Sequence, residues 1–204
     1  MPSADVYLFL APRAPLPQTD RAELAAAVAR VCPESGPVII EQRCERCGGA
    51  HGRPRVLRPP GVFVSLSRAD QTVAVAVSLI GPIGVDIESV SAVHRAGFDD
   101  VAFNELERSA LQALPGRDRD RARAFLWTSK EAALKLSGEG LAVDPRELTV
   151  ALAQEGASTR LSWPGAALDV DRVHLAGFDA GPGLVGMLAV LGAQGPRIVL
   201  RPQP

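Results

Sequence analysis

Three Val- and Ile-rich runs, Gly61–Leu66, Thr72–Leu79 and Ile83–Glu88, follow one another with only turn residues between them. Such runs read as consecutive β-strands. Directly after Glu88 the pattern changes to helix. Asn104 with Glu107 three residues on predicts a capping-box start for a helix through Leu114, stopped by Pro115-Gly116. Asp118 or Asp120 is expected to cap the next helix, which runs to about Ser137 and ends at Gly138 and Gly140. A block of strands followed by a block of helices predicts an α+β chain.

The flanks extend this pattern. Asp5–Ala11 reads as a short strand ending at Pro12, and Asp20–Val31 as a helix with Asp20 as N-cap and Leu24, Ala27, Val28 and Val31 on its apolar face. Residues 43–60 crowd Cys, Gly, Pro and Arg together and are expected to form an irregular loop. Three short strands are predicted near Leu148–Leu152, Leu168–Leu175 and Leu184–Leu191, and the Pro-rich last residues as a frayed tail. Each half then holds a helix and about three strands. This pattern fits two similar lobes joined near residues 89–97, although no sequence repeat relates them.

Composition excludes several function classes. At 204 residues, 47% hydrophobic and 22% charged, the chain can bury a core, and with 4% aromatics that core must rest on Ala, Val and Leu. A net charge of −1 gives no general attraction to nucleic acid or to an anionic membrane. The apolar stretches Val73–Val85 and Gly183–Gly192 are too short or too broken to span a bilayer, and no basic leader with an apolar stretch opens the chain. Three cysteines, an odd number, argue against a disulfide scaffold. The expectation is a soluble cytoplasmic protein. Cys44-x-x-Cys47 with His51 offers only three soft ligands, with Cys32 a distant fourth, so a metal-free loop is favoured over a zinc site. His94 and His174 have no partners in sequence.

Two elements carry chemistry. In Gly84-Val85-Asp86-Ile87-Glu88 the side chains alternate, which sets Asp86 and Glu88 on one face and Val85 and Ile87 on the other. Paired carboxylates need solvent or a neutralising partner. A hard divalent cation such as Mg²⁺ is one partner, and a polar outer face of an edge strand is the simpler alternative. The second element holds both lysines of a chain that otherwise uses arginine 20 times: Lys130 and Lys135 flank Glu131. Lysine can release a proton and arginine cannot, so the bias points to a need for the ammonium there; two lysines meeting by chance on a solvated face is the alternative. Trp127, Glu131 and Lys135 fall at i, i+4 and i+8 along one stripe, and Glu131 before Lys135 also suits a simple helical ion pair. Trp127 is expected to pack in the core. The glycines of Ser137-Gly138-Glu139-Gly140-Leu141 suggest close backbone approach by a ligand or partner.

Together, Gly84-x-Asp86-x-Glu88 and, about 40 residues on, Trp127-x-x-Lys130-Glu131-Ala132-x-x-Lys135-x-x-Gly138-x-Gly140-Leu141 resemble the Sfp-type 4′-phosphopantetheinyl transferases, over roughly residues 44–141. The resemblance implies an enzyme that moves the phosphopantetheine arm of coenzyme A onto a serine of an acyl- or peptidyl-carrier protein and releases 3′,5′-ADP. It implies Mg²⁺ on the diphosphate, held by Asp86, Glu88 and Glu131. Glu131 would deprotonate the serine, and Lys135 would neutralise or protonate the leaving phosphate. Lys130 is expected to contact phosphate or the carrier, or else to be a surface residue of the motif.

Upstream, His51-Gly52-Arg53-Pro54 resembles the turn that lies against the adenine and 3′-phosphate end of coenzyme A, and Ser65-Leu66-Ser67-Arg68 the segment whose Ser and His hold that phosphate. Here the histidine is Arg68, whose fork binds phosphate and stays charged at every pH. Glu107 is expected to support structure. The implied fold is α+β, with two pseudo-twofold lobes, residues 1–95 and 96–204, each a small, mainly antiparallel sheet on a long helix. The implied site lies at the lobe interface of a monomer. A module that binds coenzyme A or a carrier protein without catalysis is the alternative.

Overall fold

The computed structural model describes residues 5–13, 18–43, 48–49, 52–152 and 159–202. Cys44, Cys47 and His51 lie outside them, and with them the question of zinc. Among the described residues no helix is long and apolar enough to cross a membrane.

The predicted strands become β4 (Phe63–Ala69), β5 (Thr72–Ser78) and β6 (Ile83–Ser89), preceded by β1 (Asp5–Pro12) and α1 (Gln18–Val31). Asp20 therefore lies inside α1 rather than at its cap. The expected loop of residues 43–60 is only partly irregular, since β2 (Ile39–Gln42) and β3 (Pro54–Arg58) pair there as a small antiparallel ribbon. After β6 come α2 (Val90–Ala96), α3 (Asp99–Ala102), α4 (Glu105–Gln112) and α5 (Gly116–Ser137). The capping box on α4 is present: Asn104 Oδ1 accepts from Glu107 N, and Glu107 Oε2 accepts from Asn104 N. α5 begins earlier than expected, after Pro115, and neither Asp118 nor Asp120 caps it. β7 (Thr149–Val150), β8 (Leu161–Ser162), β9 (Val173–Phe178), β10 (Leu184–Leu191) and β11 (Arg197–Pro202) complete the chain.

The chain is thus mixed α+β. One sheet has the order β11-β1-β5-β4 and a second the order β6-β10-β9, with β7 paired to β8. Pairing is antiparallel except between β1 and β11. β11 corrects the expected frayed tail: Ile198 and Val199 align with Val6 and Tyr7, and Arg197 clasps Asp5 at 2.7 Å. A cut near residue 95 follows neither sheet, because β6 pairs with β10 and β11 pairs with β1.

Period-two alternation explains the layers. Val73, Val75 and Val77 of β5 face α1 through Leu24, Ala27 and Val28, whereas Ala74 and Ala76 face Ile83, Val85, Ile87, Leu188 and Val190 of the second sheet. The outer face of that second sheet, through Met187 and Ala189, takes Ala132 and Leu136 of α5. Burying these apolar faces, at about 25 cal/mol per Å² of surface removed from water, is the main term holding the helices on the sheets. The layer order is α1, sheet, sheet, α5. This stacking sets the Asp86 face of β6 directly beneath α5.

Candidate active site

Gly84, Asp86 and Glu88 occupy alternate positions on β6 and so share its α5-facing side. A Cβ on Gly84 would press on the Ala132 carbonyl and lie 2.6 Å from Leu136 N, so hydrogen is the only side chain that lets the helix backbone come this close. A two-residue step along a strand, about 6.6 Å, nearly equals a four-residue step along a helix, about 6.0 Å. The Trp127, Glu131, Lys135 stripe lies over the same row, and its two ends, eight residues and so about 12 Å apart, reach carboxylates that are one such strand step apart. Lys135 Nζ reaches Asp86 Oδ1 at 2.6 Å, and Trp127 Nε1 reaches Glu88 Oε1 at 3.1 Å. Glu131 lies between them in sequence.

β4 closes the other side. Ser65 Oγ accepts the Val85 N–H at 2.9 Å, and Ser67 Oγ donates to Asp86 Oδ1 at 2.7 Å. Lys135 also donates to Ser67 Oγ and to the Val85 carbonyl. Asp86 is thus deeply buried, with one oxygen heavily bonded and the other, Oδ2, buried without a partner. Burial pushes the Asp86 carboxyl above its ordinary range, against Lys135 and the hydrogen bonds from Ser67 and the Ile87 N–H. Glu131 is also raised, first by burial and then by the charge of Asp86. Glu88 is pushed up to about 7 by burial, by Asp86 and by Glu131, against the Trp127 N–H and Lys135.

Three carboxyls held above their ordinary range by burial, with Asp86 raising both Glu88 and Glu131 further, mark a site short of positive charge. Among the described residues no three His, Cys, Asp or Glu side chains are gathered as a ready-made chelate. Mg²⁺ does not require one, because it is held by one or two carboxylates with waters and substrate phosphates. The orphaned Asp86 Oδ2 and the all-oxygen donor set fit such a cation.

These shifts set the sign of a pH dependence. Folded Glu88 keeps its proton to about pH 7, whereas in the unfolded chain it ionises near its ordinary value of 4.5. The native state therefore binds more protons across that window, and stability falls as pH rises through it. Asp86 and Glu131 act in the same direction. Cation-free protein should melt at lower temperature at about pH 8 than at about pH 6, and Glu88→Gln should flatten part of that slope. A melting temperature that climbs from pH 6 to 8 would contradict the assignment.

The structure corrects three expectations. Lys130, expected at phosphate or carrier, is fully buried on another face of α5, one residue and so about 100° round from Glu131. Its ammonium donates to Glu107 Oε2 at 2.5 Å, to Ala102 O at 2.8 Å and to Pro145 O at 3.0 Å, which uses all three hydrogens. Ser67, expected on the 3′-phosphate, spends its hydroxyl on Asp86. Arg68, expected beside it on that phosphate, is exposed on the opposite face of β4. Glu107 is the structural residue foreseen; it accepts from Lys130, from Asn104 N and from Val150 N.

Arg53, just ahead of Pro54 at the start of β3, lies against the C-terminal end of α5: a Cβ on Gly138 would sit 3.0 Å from Arg53 Nη1. The close approach expected at the glycine-rich helix end is thus made, at Gly138, by the chain's own arginine. Trp127 packs on Phe98 and hydrogen-bonds Glu88, a role that its helical stripe hinted at and that packing alone did not convey.

The profile of the 4′-phosphopantetheinyl transferase superfamily matches residues 82–175, a span that includes β6 and α5. The chain is 29% identical over 109 residues to the 4′-phosphopantetheinyl transferase psf-1 of Bacillus pumilus, covering 53% of this chain and 46% of that protein. It is 34% identical over 101 residues to the L-aminoadipate-semialdehyde dehydrogenase-phosphopantetheinyl transferase of Eremothecium gossypii, covering 47% and 37%. The chain thus spans less than half the length of these curated relatives. A crystal structure of a holo-(acyl-carrier-protein) synthase from Bacillus anthracis in complex with CoA (3′,5′-ADP) superimposes with a TM-score of 0.47 at 22% identity, over 56% of this chain and 98% of that one.

Proposed function

We propose, from the match of residues 82–175 to the 4′-phosphopantetheinyl transferase superfamily, that this chain transfers the phosphopantetheine arm of coenzyme A to a serine of an acyl- or peptidyl-carrier protein. The observation that carries the reading is the buried junction of β6 and α5. There Lys135 is held 2.6 Å from Asp86 while a second Asp86 oxygen is left unbonded beside two more carboxyls.

In this reading Asp86, Glu88 and Glu131 would hold Mg²⁺, which would supply charge neutralisation on the coenzyme A diphosphate. The serine oxygen attacks the phosphorus that carries the pantetheine arm, and a new O–P bond forms. The P–O bond to 3′,5′-ADP breaks, and its electron pair leaves with the ADP. Glu131 takes the serine proton. Its raised pKa brings it nearer to the operating pH, where a general base is most effective. Lys135, anchored by Ser67 and Asp86, neutralises or protonates the departing phosphate. Arg53, Pro54 and Arg68 stay on the coenzyme A side, with Arg53 beside the end of α5. The acidic carrier helix is recognised by basic and apolar groups near that end, such as Leu141, which is 66% exposed.

The two helix-plus-sheet units, α1 on β1-β5-β4 and α5 on β6-β10-β9, support a pseudo-twofold reading, with Ser67 of the first unit reaching Asp86 of the second; a cytoplasmic monomer is part of the same proposal. The test is incubation with coenzyme A, Mg²⁺ and a panel of apo carrier domains, read by mass spectrometry of the carrier. A mass increase of one phosphopantetheine arm that needs Mg²⁺ supports the reading. Coenzyme A binding without transfer to any carrier would convert it to a binding module.

A further inference from the structure

Glu88 is hydrogen-bonded by neither Lys135 nor Ser67; its partner is the Trp127 indole, which donates from Nε1 to Oε1 at 3.1 Å. That indole is fixed by packing rather than by charge. Its ring lies 4.8 Å from Phe98 at a tilt of 55°, and Phe98 lies 6.4 Å from Phe103. Val90, Val93 and Val185 complete the surrounding cluster. Phe103 in turn carries Lys130 Nζ 5.4 Å from its ring centre, so the platform ends on the buried Lys130–Glu107 pair. An indole N–H can only donate, so it selects a carboxylate oxygen and leaves the other one available. Among the described residues Glu88 Oε2 has no hydrogen bond beside the one made by Oε1.

We propose that Trp127 is a positioning residue: its N–H, set in place by Phe98 and the valines, orients Glu88 so that its second oxygen meets a divalent cation on the diphosphate. The cation and the diphosphate come from the transferase reading above, on which this inference rests. Partners of metal-binding carboxylates commonly account for ten- to hundredfold in metal affinity, about the range expected here.

Trp127→Phe keeps a ring against Phe98 and removes only the donor. In the presence of coenzyme A, its Mn²⁺ affinity, measured by electron paramagnetic resonance of the free ion, should fall about tenfold. Its melting temperature and its metal-free coenzyme A binding should match the parent. In a Glu88→Gln background the same change should cost nothing further, because the effect runs through that carboxylate. An unchanged Mn²⁺ affinity, or the same loss in both backgrounds, overturns the proposal.

A second readout does not depend on how Trp127→Phe folds. The chain has two tryptophans, so Trp163→Phe leaves Trp127 as the sole indole. Mg²⁺ with coenzyme A should then shift its emission, and saturating Mg²⁺ without a shift overturns the proposal as well. The tenfold Mn²⁺ difference in a protein that modifies no carrier would retain Trp127's role and remove the transferase reading. Protein that binds no Mn²⁺ would remove both.

Discussion

Gly84→Ala should destabilise the chain by about 3 kcal/mol or more, the upper range for overpacking a tight interior contact. The added Cβ would press on the Ala132 carbonyl and lie 2.6 Å from Leu136 N. Both are backbone atoms of α5, so no side-chain rotation can relieve the clash. The helix must lift off β6, and as it does Lys135 leaves Asp86 and Trp127 leaves Glu88. Urea denaturation of the variant should show a much lower midpoint, and whatever folded protein remains should have lost the site. A variant that unfolds at the parent midpoint would mean that α5 is not seated on β6 as described.

The second large effect is on the reaction. Glu131→Gln should leave the fold intact, because Glu131 is only half-buried and its charge is opposed on balance by its surroundings: burial and Asp86 favour its neutral form and outweigh Lys135. On the proposed mechanism, transfer to a carrier serine should nevertheless fall by about 10²- to 10⁴-fold, the usual contribution of a positioned base. Single-turnover assays with coenzyme A, Mg²⁺ and an apo carrier would measure this, with circular dichroism as the check on folding. Parent-like turnover would take Glu131 out of the chemistry and leave it at most a minor ligand. The two substitutions differ in kind: the first removes the architecture that assembles the site, and the second keeps that architecture and removes one carboxylate from it.

Lys130 shows where reading along the chain fails. Sequence sets it beside Glu131, and adjacency invites a shared role. On a helix, though, neighbours point about 100° apart, and here that angle separates a site carboxylate from a fully buried ammonium bonded to Glu107, Ala102 and Pro145. Its partner Glu107 was legible as a capping residue, because the Asn104–Glu107 box is a local hydrogen-bond pattern of four residues. That the same carboxylate also closes a buried ion pair depends on α5 packing against α4 from 23 residues away. Ser67 has a similar history. A serine in a strand gives no sign of its partner, and only the lie of β4 along β6 brings its hydroxyl to Asp86 rather than to a ligand.

Local periodicity and capping were enough to determine the strands β4 to β6, the helix α4, the end of α5 at Gly138, and the two stripes of reactive groups, because each is written in residues a few positions apart. The tertiary structure alone decided that β11 would close the first sheet beside β1, that Ser67 and Lys135 would converge on one oxygen of Asp86, and that only one of two neighbouring lysines would reach the site. Those outcomes depend on contacts between segments 15 to 192 residues apart. Such contacts are selected by the mutual burial of whole sheet and helix faces, and that is a property of the assembled layers rather than of any stretch of chain.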